Sequence, residues 1–149
     1  MTVDFRFRRS PAIRIAWHRW KGAWTDARVR AEFGRLERSV RAAGLRSGRW
    51  VFLEPSLRSY VVGIELHGTP RRGSGLRVRT LPAARVASVE FDPEVVSPRV
   101  VYHGLTDWLR WRRKDRTIRS IGMYREIYRG NPWKDPKAWS RTEVQAVVR

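Results

Sequence analysis

Apolar and polar residues alternate with a period of two in several short stretches of the chain, which is typical of half-buried β-strands. At the start, Val3, Phe5 and Phe7 alternate with charged residues, so residues 1–9 are predicted to form an opening strand. Ile13 and Ile15 continue the alternation and predict a second strand, or an extension of the first, in residues 12–17. Similar patterns predict strands at 50–54, 60–66, 76–80, 84–91, 120–129 and 142–148.

A first helix is predicted between the early strands. Thr25 is a suitable N-cap, and Gly44 is a suitable residue to end the helix. The apolar positions recur every three or four residues: Val29, Phe33, Leu36, Val40 and Ala43. The polar positions are predicted on the other faces: Arg28, Glu32, Arg35, Glu37 and Arg41.

A second helix is predicted from Ser97, with Pro98 at its first position, to about Lys114. Its apolar stripe consists of Val101, Leu105, Trp108 and Leu109. The order strand-helix-strand-strand therefore occurs twice, once in residues 3–67 and once in 76–149, with a loop at 68–75. We predict one domain over 1–149, with a cleft where two such units share a sheet.

The two repeats can be aligned in one of their strands. Gly48 aligns with Gly122. In the residues that follow each glycine, an aromatic residue of one repeat aligns with an aromatic residue or a carboxylate of the other. The aligned pairs are Trp50 with Tyr124, Phe52 with Glu126, and Glu54 with Tyr128. Both repeats thus place aromatic rings and one carboxylate on the same face of the strand.

Glu126 is the most informative of these residues. In a strand, Tyr124, Glu126 and Tyr128 lie on one face, while Met123 and Ile127 lie on the other. A carboxylate between two phenol rings loses hydration unless a cation or a hydrogen-bond donor replaces the water. An apolar cation fits such a face, and a salt bridge to an arginine is the open structural alternative.

Composition narrows the classes of function. The chain of 149 residues is 42% hydrophobic, which favours one packed core. It has no cysteine, and its three histidines are far apart without metal-ligand spacing, so no metal or cofactor is predicted. No apolar run is long enough for a membrane helix, and the N-terminal residues lack the apolar segment of a signal peptide, so we expect a cytoplasmic protein.

The net charge of +18 raises the alternative of a nucleic-acid partner. Most of the cations are arginines, which occur in almost every predicted element rather than on one face. The densest cluster lies at the predicted end of the second helix, where cations interact favourably with the helix dipole. A non-specific nucleic-acid-binding module would use this cluster: Arg110, Arg112, Arg113, Lys114 and Arg116.

A series of short motifs resembles the gyrase-inhibitor-like (GyrI-like) effector-binding domains, and the resemblance covers essentially the whole chain. In order, the motifs are Leu81-Pro82, Trp108-Leu109, Tyr124-Arg125-Glu126-Ile127-Tyr128, Asn131-Pro132 and Thr142-Glu143-Val144. In the first half, Gly22-Ala23-Trp24 stands where the family usually has Gly-Pro-Tyr. The chain departs from the family at Leu53-Glu54-Pro55 and at Phe91-Asp92-Pro93.

The resemblance implies an α+β fold, in which a duplicated module forms an antiparallel sheet with two helices on one side and a ligand cleft between the repeats. It also implies a stand-alone protein that binds hydrophobic aromatic, often cationic, small molecules such as drugs or toxins. Glu126 matches the acidic residue that meets the ligand's charge. The expected ring contacts are Tyr124, Tyr128, Trp50, Phe52, Trp24, Trp133 and Trp139.

Two further expectations depend on the same resemblance. The segment 132–140, which contains Trp133 and Trp139, is expected either to cover the cleft as a lid or to pack on its rim. A subset of the family hydrolyses reactive toxins, so the alternative function is a hydrolase with Glu126 as general base and Tyr124 or Tyr128 as acid. The sequence does not predict an oligomeric state.

Overall fold

A computed structural model describes residues 3–53, 55–56 and 58–149 of the protein, and it has the α+β fold that the sequence predicts. Within these residues, eight antiparallel strands form one sheet, and three helices accompany it. The strands are β1 (Arg6–Ser10), β2 (Ile13–Lys21), β3 (Arg46–Leu53), β4 (Ser59–His67), β5 (Val78–Leu81), β6 (Ala84–Phe91), β7 (Ile121–Tyr128) and β8 (Thr142–Val148). The helices are α1 (Asp26–Ala42), α2 (Pro98–Lys114) and α3 (Pro136–Ser140).

The strand order shows the duplication directly. The order across the sheet is β1-β6-β8-β7-β3-β4-β2-β5, so the two repeats meet at the β7–β3 pair. The strand that opens each repeat lies at the edge of the other repeat, because β1 pairs with β6 and β5 pairs with β2. This exchange of edge strands joins the repeats into one continuous sheet.

Equivalent β-bulges confirm the sequence alignment of the two repeats. The register of β3 with β4 shifts between Ser47 and Trp50, and the register of β7 with β8 shifts between Ile121 and Tyr124. The aligned glycines lie within these bulges, where the partner strand approaches closely. A Cβ atom at Gly48 would lie 2.5 Å from His67 Nε2, and one at Gly122 would lie 3.1 Å from a backbone carbonyl oxygen.

The core has a layer on each face of the sheet. On one face, α1 packs over the first repeat through Phe33 and Val40, and α2 packs over the second repeat through Leu105 and Leu109. On the opposite face, apolar side chains form a third cluster, in which Leu81 and Ile127 of the second repeat join residues of the first: Ile13, Ile15, Val51, Leu53, Val61, Leu81 and Ile127. Both long helices therefore lie on one side of the sheet, as predicted.

The ends of α1 follow the predicted capping chemistry, whereas the start of α2 does not. The Thr25 side chain accepts a hydrogen bond from the Arg28 amide, and Gly44 follows α1 with a φ of 80°, in the left-handed region that glycine adopts readily. Ser97 is the N-cap residue of α2 but makes no side-chain capping bond. No helix among the described residues is long and apolar enough to cross a membrane.

Several sequence-based boundaries were wrong by a few residues. β2 continues to Lys21, four residues beyond its predicted end, because it pairs with β4 along that whole length. β3 begins at Arg46 instead of residue 50, since pairing with β4 extends across the bulge. β5 begins at Val78 instead of residue 76. Glu54, predicted at the end of β3 and aligned with Tyr128, lies outside the described residues.

The prediction that Glu32 lies on a polar face of α1 was also wrong. Glu32 is only 4% exposed, and its carboxylate lies 3.3 Å from His18 Nε2 of β2. The periodicity of α1 could not reveal this contact, because it depends on how far β2 extends beneath the helix. Glu32 therefore belongs to the interface between α1 and the sheet.

Candidate ligand-binding cleft

A cavity of about 220 Å³ lies at the junction of the two repeats. Its floor comes from the central strands β3 and β7, where Phe52 and Glu126 are directly opposite each other. The described residues that line it are Trp24, Asp26, Val29, Phe33, Phe52, Pro98, Glu126, Tyr128, Pro132, Trp133 and Trp139. The cleft thus combines apolar and aromatic walls with few polar groups, which is the usual composition of a small-molecule site.

The charges in this cleft differ from those of the chain as a whole. The protein carries a net charge of +18, yet the described residues lining the cavity include Asp26 and Glu126 and no lysine or arginine. Asp26 and Pro98 are the first residues of α1 and α2, so both helices begin at the cavity. The partial positive charge of a helix N-terminus stabilises carboxylates placed there.

Glu126 is held by two tyrosines. Tyr102 of α2 donates its hydroxyl hydrogen to Glu126 Oε1 at 2.6 Å, and the Tyr128 hydroxyl donates to Oε2. Within the part of the chain that the structure describes, no lysine, arginine or histidine nitrogen lies within 4.0 Å of the Glu126 carboxylate. This half-buried carboxylate therefore exchanges water for hydrogen bonds from neutral donors and not for an ion pair.

Tyr102 is a component of the site that sequence reasoning missed. Its ring stacks on Tyr124 with a centroid distance of 6.0 Å and an interplanar angle of 16°. The Tyr124 hydroxyl lies 2.8 Å from Thr106 Oγ1 of α2. The available signal was the position of Tyr102 beside the apolar stripe of α2, three residues before Leu105, which directs its ring towards the sheet.

The tyrosine hydroxyls beside Glu126 hold their protons strongly. Burial and the neighbouring Glu126 charge raise the pKa of both Tyr102 and Tyr128 well above the ordinary range for tyrosine. An efficient general acid has a pKa near the working pH. Tyr128 is consequently suited to hold Glu126 in place and poorly suited to give up a proton during hydrolysis, and Tyr124 directs its hydroxyl to Thr106 instead.

These pKa shifts predict the alkaline behaviour of the protein. Burial also raises the pKa of Tyr60, so three of the four tyrosines resist ionisation in the folded state. Unfolded tyrosines ionise at about pH 10. The associated stability is complete below that pH and declines as the pH rises towards the folded-state pKa values. In an alkaline titration, tyrosinate absorbance should increase together with loss of circular dichroism. Ionisation of all four tyrosines in a folded protein would contradict this prediction.

The cleft brings together most of the predicted site residues. Those that line it are Glu126, Tyr128, Phe52, Trp24, Trp133 and Trp139. Tyr124 and Trp50 are not among its lining residues. Tyr124 stacks on the Tyr102 ring outside the cleft. Trp50 is only 1% exposed and stacks on Phe33 with 4.8 Å between ring centroids.

The aromatic residues at the rim differ in how firmly they are held. Trp24 is 51% exposed and touches Phe52 edge-on at 6.3 Å between ring centroids. Trp139 of α3 donates its indole N–H to Glu94 at 3.0 Å. Trp133 lies against Phe33 at 6.2 Å. The segment 132–140 therefore contributes one wall of the cleft through Pro132, Trp133 and Trp139.

The basic cluster at the end of α2 lies apart from the cleft. Acidic neighbours partly balance it, since Arg112 bonds Asp115 at 3.2 Å and Arg110 lies 3.9 Å from Asp107. Trp111 is 69% exposed, and the Lys114 ammonium lies 5.4 Å from its ring centre. Such contacts are expected on a solvated helix end and contribute little stability.

Comparison with known proteins identifies the fold through solved structures alone. No family model and no curated protein matches the chain by sequence. The crystal structure of the EcmrR C-terminal domain superposes with a TM-score of 0.78 at 16% identity, covering 100% of this chain and 99% of that one. At this level of identity, the match establishes a shared fold.

Two further structures extend this comparison. EcmrR in an EcmrR–DNA complex, solved by cryo-electron microscopy in EcmrR-RPo, matches with a TM-score of 0.73 at 14% identity. The match covers 99% of this chain but 57% of that one. SAV2435 bound to tetraphenylphosphonium matches with a TM-score of 0.56 at 13% identity, over 98% of this chain and 94% of that one.

Proposed function

We propose that this protein binds lipophilic aromatic cations in the cleft between its repeats, as a GyrI-like effector-binding domain that senses or sequesters drugs or toxins. The observation that carries the proposal is the charge of the cleft. A chain of net charge +18 lines an aromatic cavity with Asp26 and Glu126 and, among its described residues, with no cation. The SAV2435 structure, of the same fold, supports this choice because it holds an aromatic phosphonium ion.

The physical basis of affinity is charge attraction in a partly dehydrated site. Two unit charges about 4 Å apart attract by about 1 kcal/mol in water and by about 4 kcal/mol at an effective dielectric constant of 20. Each aromatic face that a cation contacts adds about 0.5–2 kcal/mol. Trp24, Trp133 and Trp139 are the rings best placed to make such contacts.

The size of the cleft restricts how a ligand enters. A cavity of about 220 Å³ is smaller than the roughly 300–1,000 Å³ of most drug-sized sites. Larger ligands must therefore displace a rim residue, and Trp24 is the most exposed of the lining tryptophans. In our proposal, movement of the residues at the rim therefore controls the entry of larger ligands.

Binding without turnover is the form of the proposal that the hydrogen bonds favour. Both oxygens of Glu126 already accept hydrogen bonds from tyrosine hydroxyls, so the carboxylate is held in place and is not presented to a water molecule. Calorimetric titration with tetraphenylphosphonium at physiological salt tests the proposal. One saturable site with micromolar affinity is expected, and the absence of saturable binding up to millimolar ligand would contradict it.

A further inference from the structure

The face of the sheet opposite the helices has two chemically different halves. In the first repeat, this face is the apolar cluster that includes Val51, Leu53 and Val61. Around β1, β6, β8 and β7, the same face of the sheet carries charged side chains that surround a cavity of about 380 Å³. Ser88 and Ile127 contribute to the lining of this cavity, which lies on the other side of the sheet from the proposed drug cleft.

Positive charge predominates in this second cavity and its immediate surroundings. Among the described residues, six guanidinium groups face three carboxylates, which leaves an excess of three positive charges. The carboxylates are Glu65, Glu90 and Glu143. The guanidinium groups belong to Arg6, Arg8, Arg49, Arg125, Arg129 and Arg141.

The existing ion pairs show where the excess arises. Glu90 is shared by Arg129 at 3.3 Å and Arg141 at 2.7 Å, so one carboxylate serves two arginines. Glu143 likewise lies 2.5 Å from Arg8 and also attracts the nearby Arg125. Arg6 forms no ion pair within 4.0 Å inside the described ranges.

Arg125 is the most deeply buried of these cations. It is only 2% exposed, and its hydrogen bonds go to neutral groups, Gln145 Oε1 at 2.7 Å and Ser10 Oγ at 3.2 Å. Burial, with the adjacent Arg8 and Arg49 charges, lowers the pKa of Arg125 against the opposing attraction of Glu143. A buried cation of this kind gains stability when an anion enters the neighbouring cavity.

We propose that this cavity is a second binding site, which takes a small anion with two or more linked phosphate groups. Guanidinium groups bind phosphate oxygens through paired hydrogen bonds, and arginine is the residue best suited to this geometry. The side chains of Arg129 and Arg141 are about half exposed, so their remaining donors are accessible to a ligand in solution.

The arrangement of the arginines favours linked phosphates over a single one. Arg8 lies on β1 and Arg49 on β3, and three strands separate β1 from β3 in the sheet. Neighbouring strands are about 4.8 Å apart, so one phosphate group is too small to meet the arginines on both sides of the cavity. A chain of phosphates spans more of the cavity and offsets more of its excess charge.

A concave site also distinguishes this proposal from binding of duplex nucleic acid. A duplex presents an extended convex backbone, which would contact exposed cations such as those at the end of α2 before those in a cavity.

Inorganic tripolyphosphate is therefore the probe, titrated by calorimetry at constant ionic strength. The same titration with orthophosphate should give at least about tenfold weaker binding.

A matched pair of variants tests the location of the site. Arg6→Gln/Arg129→Gln removes two charges from the cavity while Glu90 keeps its bond to Arg141. Arg110→Gln/Arg113→Gln removes two charges from α2 and serves as the control. We expect the cavity variant to bind tripolyphosphate about tenfold more weakly or worse, and the control to stay within about twofold of the original protein.

Several results would overturn the inference. Equal weakening in both variants would show that binding depends on the overall surface charge and not on this cavity. The absence of saturable binding to the original protein would also contradict the proposal. Displacement of tripolyphosphate by a short DNA duplex, with the same dependence on Arg6 and Arg129, would assign the surface to nucleic acid instead. Circular dichroism and thermal unfolding check the folding of both variants, and the single variant Arg6→Gln repeats the test if the double variant is unstable.

Discussion

Replacing Glu126 by glutamine is expected to weaken tetraphenylphosphonium binding by at least about tenfold, which corresponds to 1.4 kcal/mol. The change removes the charge that attracts the cation but keeps the size of the side chain. An amide can still accept a hydrogen bond from Tyr102 or Tyr128, so the geometry of the site should persist. The affinity is measured by calorimetry, with stability followed by thermal unfolding.

The control for this experiment is Glu37→Gln on α1. It changes the net charge by the same amount, but Glu37 pairs with Arg41 and does not line the cleft. The control should bind the cation as the original protein does. Equal losses in the two variants would mean that overall charge, and not the cleft carboxylate, determines affinity.

Replacing Trp50 by alanine is expected to lower the free energy of unfolding by about 3–5 kcal/mol. Trp50 is 1% exposed, stacks on Phe33 at 4.8 Å and lies 6.3 Å from Trp133, so its removal leaves a cavity beneath one wall of the cleft. Chemical denaturation measures the loss. Ligand affinity should also fall because the wall of the cleft loses its packing, and not because Trp50 contacts the ligand.

Trp24→Ala is the matched comparison, because it removes the same side chain from an exposed position. Trp24 is 51% exposed, so stability should change by about 1 kcal/mol or less. Cation affinity should fall by about 0.5–2 kcal/mol through the lost ring contact. A small stability loss for Trp50→Ala would contradict its assignment to the core, and unchanged affinity for Trp24→Ala would remove that ring from the site.

Much of the fold was predictable because it depends on local sequence patterns. The alternation around Glu126 assigned the two faces of β7 correctly, and Ile127 does lie in the cluster on the opposite face. The alignment of Gly48 with Gly122 paired two positions that are structurally equivalent, since each glycine lies in a β-bulge where a side chain would meet the neighbouring strand, although the sequence did not predict the bulges themselves. These features depend on residues close together in sequence.

The parts that were not predictable depend on tertiary contacts. The hydrogen bond from Tyr102 to Glu126 joins a helix to a strand across 24 residues, and no local pattern specifies it. The burial of Glu32 beside His18 results from the length of β2 beneath α1. The location of Trp50 under Phe33 and Trp133 likewise depends on how the helix and the segment after β7 close over β3.

The most direct test of the proposed function compares two ions of similar shape and opposite charge, tetraphenylphosphonium and tetraphenylborate. Each is titrated separately while nuclear magnetic resonance follows the indole N–H signals of Trp24, Trp133 and Trp139. The net charge of +18 favours the borate anywhere on the surface. We predict that the phosphonium nevertheless binds the cleft at least about tenfold more tightly. Equal or tighter borate binding at these tryptophans would contradict it.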